Sequence, residues 1–495
     1  MSTGIWLAIA AVAFPLVGSG AGLLNLGIRR AGAATVVGGA GSMAAAVALA
    51  VRVATGGPVH GLGSLLYVDH LSAFFLLTLA LVILLASWGM AAYLAAPRGR
   101  AEFSPIRIRL AWVFFGVFGS TMLAACETGN LGLLFVLVEL SALSSVVMVA
   151  IEGRPTALEA AWKYVIVSAL GVTIALVGTL FVYSAASTLP GSAGQHLTWP
   201  FLFDHAAGLR PAALRLGFVL AVVGYGTKVG LAPMHTWLPD AHSEAPSPVS
   251  AMLSGALLNL GMYAIIRFLA IASAGRASAY AGRVLLIFGF LSIGVGAVFI
   301  VRRGDYKRLL AYSSVEHMGI IAVGLGFGGL LGVYGALLHT LNHALGKTVL
   351  FLASGGILLG YRTRRSERVT GALALLPLTG AALLLGAFAI VGSPPFGLFV
   401  SELTIVRAGF AGHDPWLAGL LLLLLAVVFI AFVRTITEMV LGPRPSGVGV
   451  GRAELGPAWV AGLPLVLGLA GLLVLGLVIP GALSRLLVES AGLVR

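Results

Sequence analysis

The sequence predicts an all-α, polytopic membrane protein of about 14 transmembrane helices. Hydrophobic residues fill 59% of the 495 positions and charged residues only 9%, and mean hydropathy is +1.05. Apolar runs of about 20 residues recur with short connections between them, the length a bilayer core demands. The 67 glycines suit helices whose backbones approach closely in lipid. The formal charge of +13 is carried by arginines scattered through the connections, not gathered on a basic, aromatic-studded face. Topology explains it, and nucleic acid is not an expected partner. The single cysteine, Cys126, excludes a disulfide, a Cys-ligated iron–sulfur cluster and a Cys-rich zinc site within the chain.

Spans are expected near 4–27, 32–54, 67–95, 108–125, 130–151, 157–186, 212–234, 247–271, 281–301, 306–325, 329–358, 369–409 with a break, 415–441 and 457–484. Arg29 and Arg30 follow the first apolar run, the reverse of a signal peptide, so no cleavable leader is expected and the N-terminus is placed outside. Every second connection then holds most of the positive charge, including Arg98, Arg107, Arg154, Arg303, Lys307, Arg364, Arg444 and Arg452, whereas the outer ones hold chiefly Arg210, Arg276 and Arg283. That asymmetry predicts both termini outside a cell inner membrane. The connection Thr188 to Arg210 reads as an outer loop; its His196 and His205 lack a third metal ligand at usable spacing. Gly324 to Gly329 matches GxGxxG but follows an apolar helix, not a strand, so dinucleotide binding is not expected.

The costly residues lie inside the apolar runs. Lys228 sits in the last third of the seventh span, and Gly230 and Pro233 follow it, predicting a helix broken beside a charge. Glu402 follows a second break, Gly392-Ser393-Pro394-Pro395-Phe396-Gly397, in the twelfth. Polar residues recur at a nearly constant offset: 177 from Glu139 to Glu316, 176 from Lys163 to His339, 174 from Lys228 to Glu402, and 175 from Asn259 to Arg434. Five spans fit that offset, and an odd number inverts the second copy in the membrane. The expected division is 1–106 for three leading spans, 107–276 and 277–450 for the two inverted five-helix repeats, and 451–495 for the last span.

Twenty-six arginines stand against four lysines, Lys163, Lys228, Lys307 and Lys347, and all but Lys307 fall in apolar spans. Arginine keeps its proton; a desolvated lysine can release one. His339, His343 and Lys347 are spaced i, i+4, i+8 and share a helix face, as a proton wire requires. Zinc is the rival for those histidines, but no carboxylate lies on that helix to complete a site. Glu139, in FVLVELSAL, is a carboxylate that a nearby Lys163 or Lys228 would ionise.

The stretch GYGTKVGLAPMHTWLPDAHSEAPSPVS, residues 224–250, resembles the signature of the antiporter-like subunits of respiratory complex I, Mrp-type cation/proton antiporters and membrane-bound hydrogenases. Glu316 and His317 in LLAYSSVEHMGI, Asn259 in LLNLGMYA, and GSPPFGLFVSE are most similar to the hydrogenase-4 branch of that family. The resemblance implies that Glu139 pairs with Lys228. It also implies a proton path through Lys163, His235, Glu316, His317, His339, His343 and Lys347 to an exit near Glu402. Asn259 departs from the lysine common in the complex I proteins, and since it carries no proton, a water or neighbour must serve there. The implied protein is a non-redox subunit without catalytic cofactor or metal, whose partners are other membrane and peripheral redox subunits of an oxidoreductase. A sodium/proton antiporter of the Mrp type is the alternative, although the sequence offers no clustered Asp or Asn for a sodium cage. A passive scaffold is disfavoured, because serine or asparagine would glue helices at lower cost than buried lysine. Only Arg485 to Arg495 follow the last span, so no long lateral helix is expected.

Overall fold

The computed structural model describes residues 3–24, 26–63, 65–101, 103–302, 304–412, 415–443 and 458–494; Arg303, Arg444 and Arg452 lie outside them. Leaving aside turns of six residues or fewer, the helices are α1 Thr3–Gly20, α2 Ile28–Gly56, α3 His70–Ala95, α4 Pro105–Glu127, α5 Leu131–Ala150, α6 Pro155–Ala185, α7 Pro211–Val229, α8 Leu238–Glu244 and α9 Ser247–Ala274. They continue as α10 Ser278–Ile300, α11 Tyr306–Phe327, α12 Gly329–Tyr361, α13 Pro377–Ile390, α14 Gly397–Ala411, α15 Pro415–Leu441, α16 Ala458–Leu477 and α17 Gly481–Gly492. Among the described residues, 12 helices are long and apolar enough to cross a membrane, or 13 if α16 and α17 count as one bent span. The twelfth expected span is two shorter helices, α13 and α14, neither of membrane length alone.

The expected last span, 457–484, is corrected. Its helix stops at Leu477, and the chain turns by 76° into α17, with Pro480 immediately before the new helix. A second difference is a small antiparallel hairpin, Val59–Gly61 with Leu66–Val68, in a chain expected to be wholly helical. It lies on the connection before α3, where Gly57 and Gly63 adopt left-handed backbone. In the 188–210 connection, His196 is buried against Phe201, ring centroids 5.4 Å apart, so that loop is less solvated than expected.

Helix starts follow their capping residues. The Asn130 side chain accepts from the amides of Gly132 and Leu133, Asp305 from those of Lys307 and Arg308, and Asp69 from that of Ser72. Small residues set the packing. A Cβ at Gly178 of α6 would stand 2.8 Å from the Ala221 nitrogen of α7, and one at Gly224 of α7 would collide with the Ala175 nitrogen of α6. The interior is built around α9, which is buried along its length and touches α7, α3 and α12; α15, at the rim, leaves Leu422, Leu423 and Ile430 exposed.

Candidate functional site

Lys228 occupies the last turn of α7, two residues before Gly230, whose φ of 76° ends the helix in the left-handed region. A side chain is doubly unwelcome there, since a Cβ would also collide with Leu238 Cδ1. The chain passes Pro233 and restarts as α8. Polar groups of the break find partners across it: Ala232 N donates to Ser292 Oγ of α10 at 2.9 Å, and Trp237 Nε1 donates to the Thr227 carbonyl at 2.6 Å. The Trp237 ring stacks on Tyr164 of α6 with centroids 4.2 Å apart. Lys228 is wholly buried, donates to Ser168 Oγ of α6, and lies 3.6 Å from Glu139 Oε2 of α5. That is ion-pair range, yet beyond a hydrogen bond. Glu139 keeps 28% of its side chain exposed, while the Oε2 that faces Lys228 is buried and accepts no hydrogen bond among the described residues.

The second centre is assembled from α11, α12 and α14. Gly392, with φ 70°, opens the break between α13 and α14, and a Cβ there would collide with Glu402 Oε2. Glu316, His317, His339, His343, Lys347 and Glu402 are all buried. His317 Nδ1 and His339 Nε2 are 3.0 Å apart, a separation at which one ring donates to the other, and His339 Nδ1 meets Ser401 Oγ at 2.9 Å. One ligand atom each from His317, His339 and Glu402 lies within 4.8 Å of the others. The His343 ring is 5.3 Å from that of His317, and Lys347 Nζ donates to the Leu310 carbonyl at 2.9 Å. Among the described residues, Glu316 Oε2 and both His343 nitrogens have no hydrogen-bond partner. Buried polar atoms without protein partners are places where water or an exchanging partner belongs.

Between the two centres runs α9. A Cβ at Gly261 would stand 3.1 Å from Lys228 Cβ, and one at Gly255 would stand 2.9 Å from Thr348 Oγ1 of α12. Leu253–Leu257 is a π-helical turn, a form that is rare and frequent at functional sites. Asn259 Nδ2 donates to the Gly255 carbonyl at 2.7 Å, and Ser254 Oγ meets Ser314 Oγ of α11 at 2.8 Å. At the Glu244 end of α8, charged side chains form a seam. Arg364 pairs with Glu244 at 2.7 Å and Asp305 at 3.6 Å, Arg154 with Glu244 at 3.7 Å, and Arg308 with Asp240. The Arg364 guanidinium does not fully offset the burial that pushes the Asp305 carboxyl above its ordinary range.

The transmembrane family described as NADH:quinone oxidoreductase/Mrp antiporter matches residues 128–429, well over half of the chain. The chain belongs to that family. This antiporter-family chain is 38% identical over 383 residues to the hydrogenase-4 component F homolog of Methylacidiphilum infernorum (isolate V4), covering 77% of this chain and 80% of that protein. It is 32% identical over 411 residues to NADH-quinone oxidoreductase subunit N of Desulforudis audaxviator (strain MP104C), covering 80% of each. A chain of the membrane-bound sulfane sulfur reductase, an archaeal respiratory membrane complex, has a TM-score of 0.84 at 25% identity, over 98% of this chain and 97% of that one.

Within the antiporter-family chain the expected residues divide. Glu139 stands beside Lys228, and Glu316, His317, His339, His343, Lys347 and Glu402 form the second buried group. His235 is half-buried at the break itself, its ring 6.2 Å from Tyr312. Lys163 is not in the buried row. Its side chain is 50% exposed and pairs with Glu159 at 2.7 Å and Asp240 at 3.1 Å, because α6 turns that face outward along with Trp162 and Ile166. Lys307, expected as a topological charge, is instead buried, its Nζ donating to the Ala245 carbonyl at 2.5 Å. Arg434 is 68% exposed and pairs with Glu438, so it is no buried counterpart of Asn259.

The two helix breaks do not keep the 174-residue offset of Lys228 and Glu402. The break glycines Gly230 and Gly392 are 162 residues apart (392 − 230), since the connection before α7 is longer than the one before α13. Lys228 therefore precedes its break and Glu402 follows its own. Sequence reasoning misses Ser168, Ser254, Ser314 and Ser401, because a serine in an apolar helix gives no signal of its partner. His242 lies in the signature stretch and is open to notice there. It is buried, stacked on Phe351 of α12 at 5.0 Å, with neither ring nitrogen partnered among the described residues.

Proposed function

We propose that this chain is a proton-translocating membrane subunit of a redox-driven complex of the hydrogenase-4 or NADH–quinone oxidoreductase type. One observation carries the reading: a wholly buried lysine at a helix break, held between the Ser168 hydroxyl and a carboxylate 3.6 Å away. Lysine in that setting alternates between two states. Protonated, it is drawn to Glu139; deprotonated, it relaxes toward the neutral hydroxyl. A small movement of α7 against α5 changes which state is favoured, and redox-driven shifts in partner subunits would supply that movement.

Protons enter from the cytoplasm at Glu139 and Lys228. They cross by way of the hydroxyls and waters around α9, then pass along Lys347, His343, His317, Glu316 and His339 to leave near Glu402. Lys163 serves at the surface with Asp240. The chain needs no cofactor of its own, and the redox groups belong to its partners. Counting α13 with α14 as one broken span and α16 with α17 as another adds two to the twelve and gives fourteen crossings, with both termini outside the inner membrane. Mrp-type sodium/proton exchange is the second reading. It asks for an oxygen-lined cage, whereas the buried carboxylates Glu316 and Glu402 stand among imidazoles.

The test is Lys228→Arg in the whole complex, reconstituted in vesicles with a pH-sensitive dye. Charge is kept and deprotonation is lost, so assembly should persist while proton translocation falls by about tenfold or more. Unchanged translocation would remove Lys228 from the path.

A further inference from the structure

His339 and His343 have no carboxylate on their own helix to complete a metal site. The fold supplies one from elsewhere: α14 carries Glu402 to His339 and to His317 of α11, with one ligand atom of each within 4.8 Å of the others. Two histidines and a glutamate form a familiar zinc donor set, which leaves a fourth position for water. We propose that His317, His339 and Glu402 form a binding site for a divalent transition metal, zinc above all, and that an occupied site stops proton passage through this half of the chain. The second half of this statement rests on the proton-path reading; the first rests on geometry alone.

The two histidines are already arranged as ligands. His317 Nδ1 and His339 Nε2 face each other at 3.0 Å. Tetrahedral zinc with bonds of about 2.0–2.1 Å holds adjacent ligand atoms roughly 3.3 Å apart at about 109°, so a metal displacing the shared proton moves the two nitrogens apart by a few tenths of an ångström and turns the end-on rings, centroids 5.2 Å apart, toward a common apex. The outward nitrogens have their own supports. His339 Nδ1 meets Ser401 Oγ at 2.9 Å, and His317 Nε2 looks toward Glu316 Oε2 at 3.9 Å. A hydroxyl hydrogen-bonded behind a metal-bound imidazole fixes its tautomer and strengthens it as a donor, the role open to Ser401 behind His339. Glu316 Oε2 has no hydrogen-bond partner among the described residues.

Charge balances as well. A dication held by Glu402, with Glu316 beyond the His317 ring, has carboxyl groups to meet its charge, which makes burial tolerable where an unpaired dication would be expelled. Gly392 leaves the space in which the Glu402 carboxylate moves, since a Cβ there would collide with Oε2. A metal on both imidazoles removes the exchangeable proton between them, and the row is then cut at its narrowest polar contact.

The purified complex, in detergent, is titrated with Co²⁺, whose visible spectrum reports coordination, and with Zn²⁺ followed by metal analysis. One equivalent per chain is expected, with intense bands of a tetrahedral site that zinc bleaches. His339→Asn and Glu402→Gln should each weaken binding by about tenfold or more, beyond the loss of a supporting partner; Glu402→Asp should retain it, and Glu139→Gln, in the other half, should leave it unchanged. X-ray absorption of the zinc-loaded native complex should show imidazole scattering, which keeps the test independent of variants that fold poorly. No saturable cobalt site, an all-oxygen shell, or affinity indifferent to His339 and Glu402 would overturn the proposal. Binding without inhibition of proton flux would overturn its regulatory half. A complex that moved no protons at all would instead defeat the proposed function, leaving the cobalt spectrum to judge the site.

Discussion

Asp69 and Arg267 are both buried, and Arg267 holds Asp69 with two hydrogen bonds, 2.9 and 2.6 Å, while donating to Ser72 Oγ at 2.7 Å. Its guanidinium also lies 4.0 Å from the centre of the Trp199 ring, which ties the 188–210 connection to the helix bundle. The weight of such a pair shows when one partner goes. Asp69→Asn leaves the arginine enclosed without its counter-charge and should cost about 3–5 kcal/mol, read as a lower melting temperature in detergent. The pair also fixes a pH dependence. Burial acts to raise the Asp69 carboxyl, but the adjacent Arg267 and the Ser72 groups outweigh it and hold it below its ordinary range. A carboxyl lowered by folding contributes stability that is complete above its unfolded value, about 3.9, and is lost as pH falls through the folded one. Melting should therefore be insensitive to this group near neutrality and decline only below about pH 4, and Asp69→Asn should flatten that decline.

The two broken helices share a device, a left-handed glycine where helix gives way to turn, yet they use it differently. At Gly230 the absent side chain makes room for Leu238, which is packing; at Gly392 it makes room for the Glu402 carboxylate, which is chemistry. Gly→Ala at either position costs about 1–2 kcal/mol for the backbone alone. Gly392→Ala must in addition displace Glu402, so it should depress proton translocation well beyond what its melting temperature explains, whereas Gly230→Ala should lose the two in proportion. Equal behaviour of both variants would argue against a special place for Glu402. Both breaks are legible in the sequence because glycine and proline punctuate helices whatever surrounds them. The π turn of α9 is not, since Leu253-Ser254-Gly255-Ala256-Leu257 carries no local mark, and its neighbours, Ser314 of α11 and Thr348 of α12, are far away in the chain.

At the scale of the molecule, α9 runs between the Lys228 centre and the histidine centre, and at the end of α8 a charged seam forms where Arg364 reaches Glu244 and Asp305 together. The membrane-spanning character of the chain is legible because lipid forces every crossing to be a long apolar helix. The pairing of Glu139 with Lys228 rests on resemblance in the sequence and is matched by a contact in the fold. Composition does not tell which face of a helix meets lipid or which connection charge is enclosed, so Lys163 reads as buried and Lys307 as a topological charge, whereas Lys163 is half exposed and Lys307 is buried. The same ignorance of faces hides the carboxylate that completes the histidine pair, since His317, His339 and Glu402 come from three helices. Cys126 bears on how the molecule sits in its bilayer. It is the only cysteine and is fully enclosed, its carbonyl accepting from Tyr263 Oη at 3.1 Å. The native chain thus offers maleimide reagents no thiol, and it is a ready-made background for site-directed labelling. A cysteine at the exposed position Arg276 should react with an impermeant maleimide from outside intact cells, and one at Arg362 only after the membrane is opened; the opposite pattern would turn the whole molecule over in its bilayer.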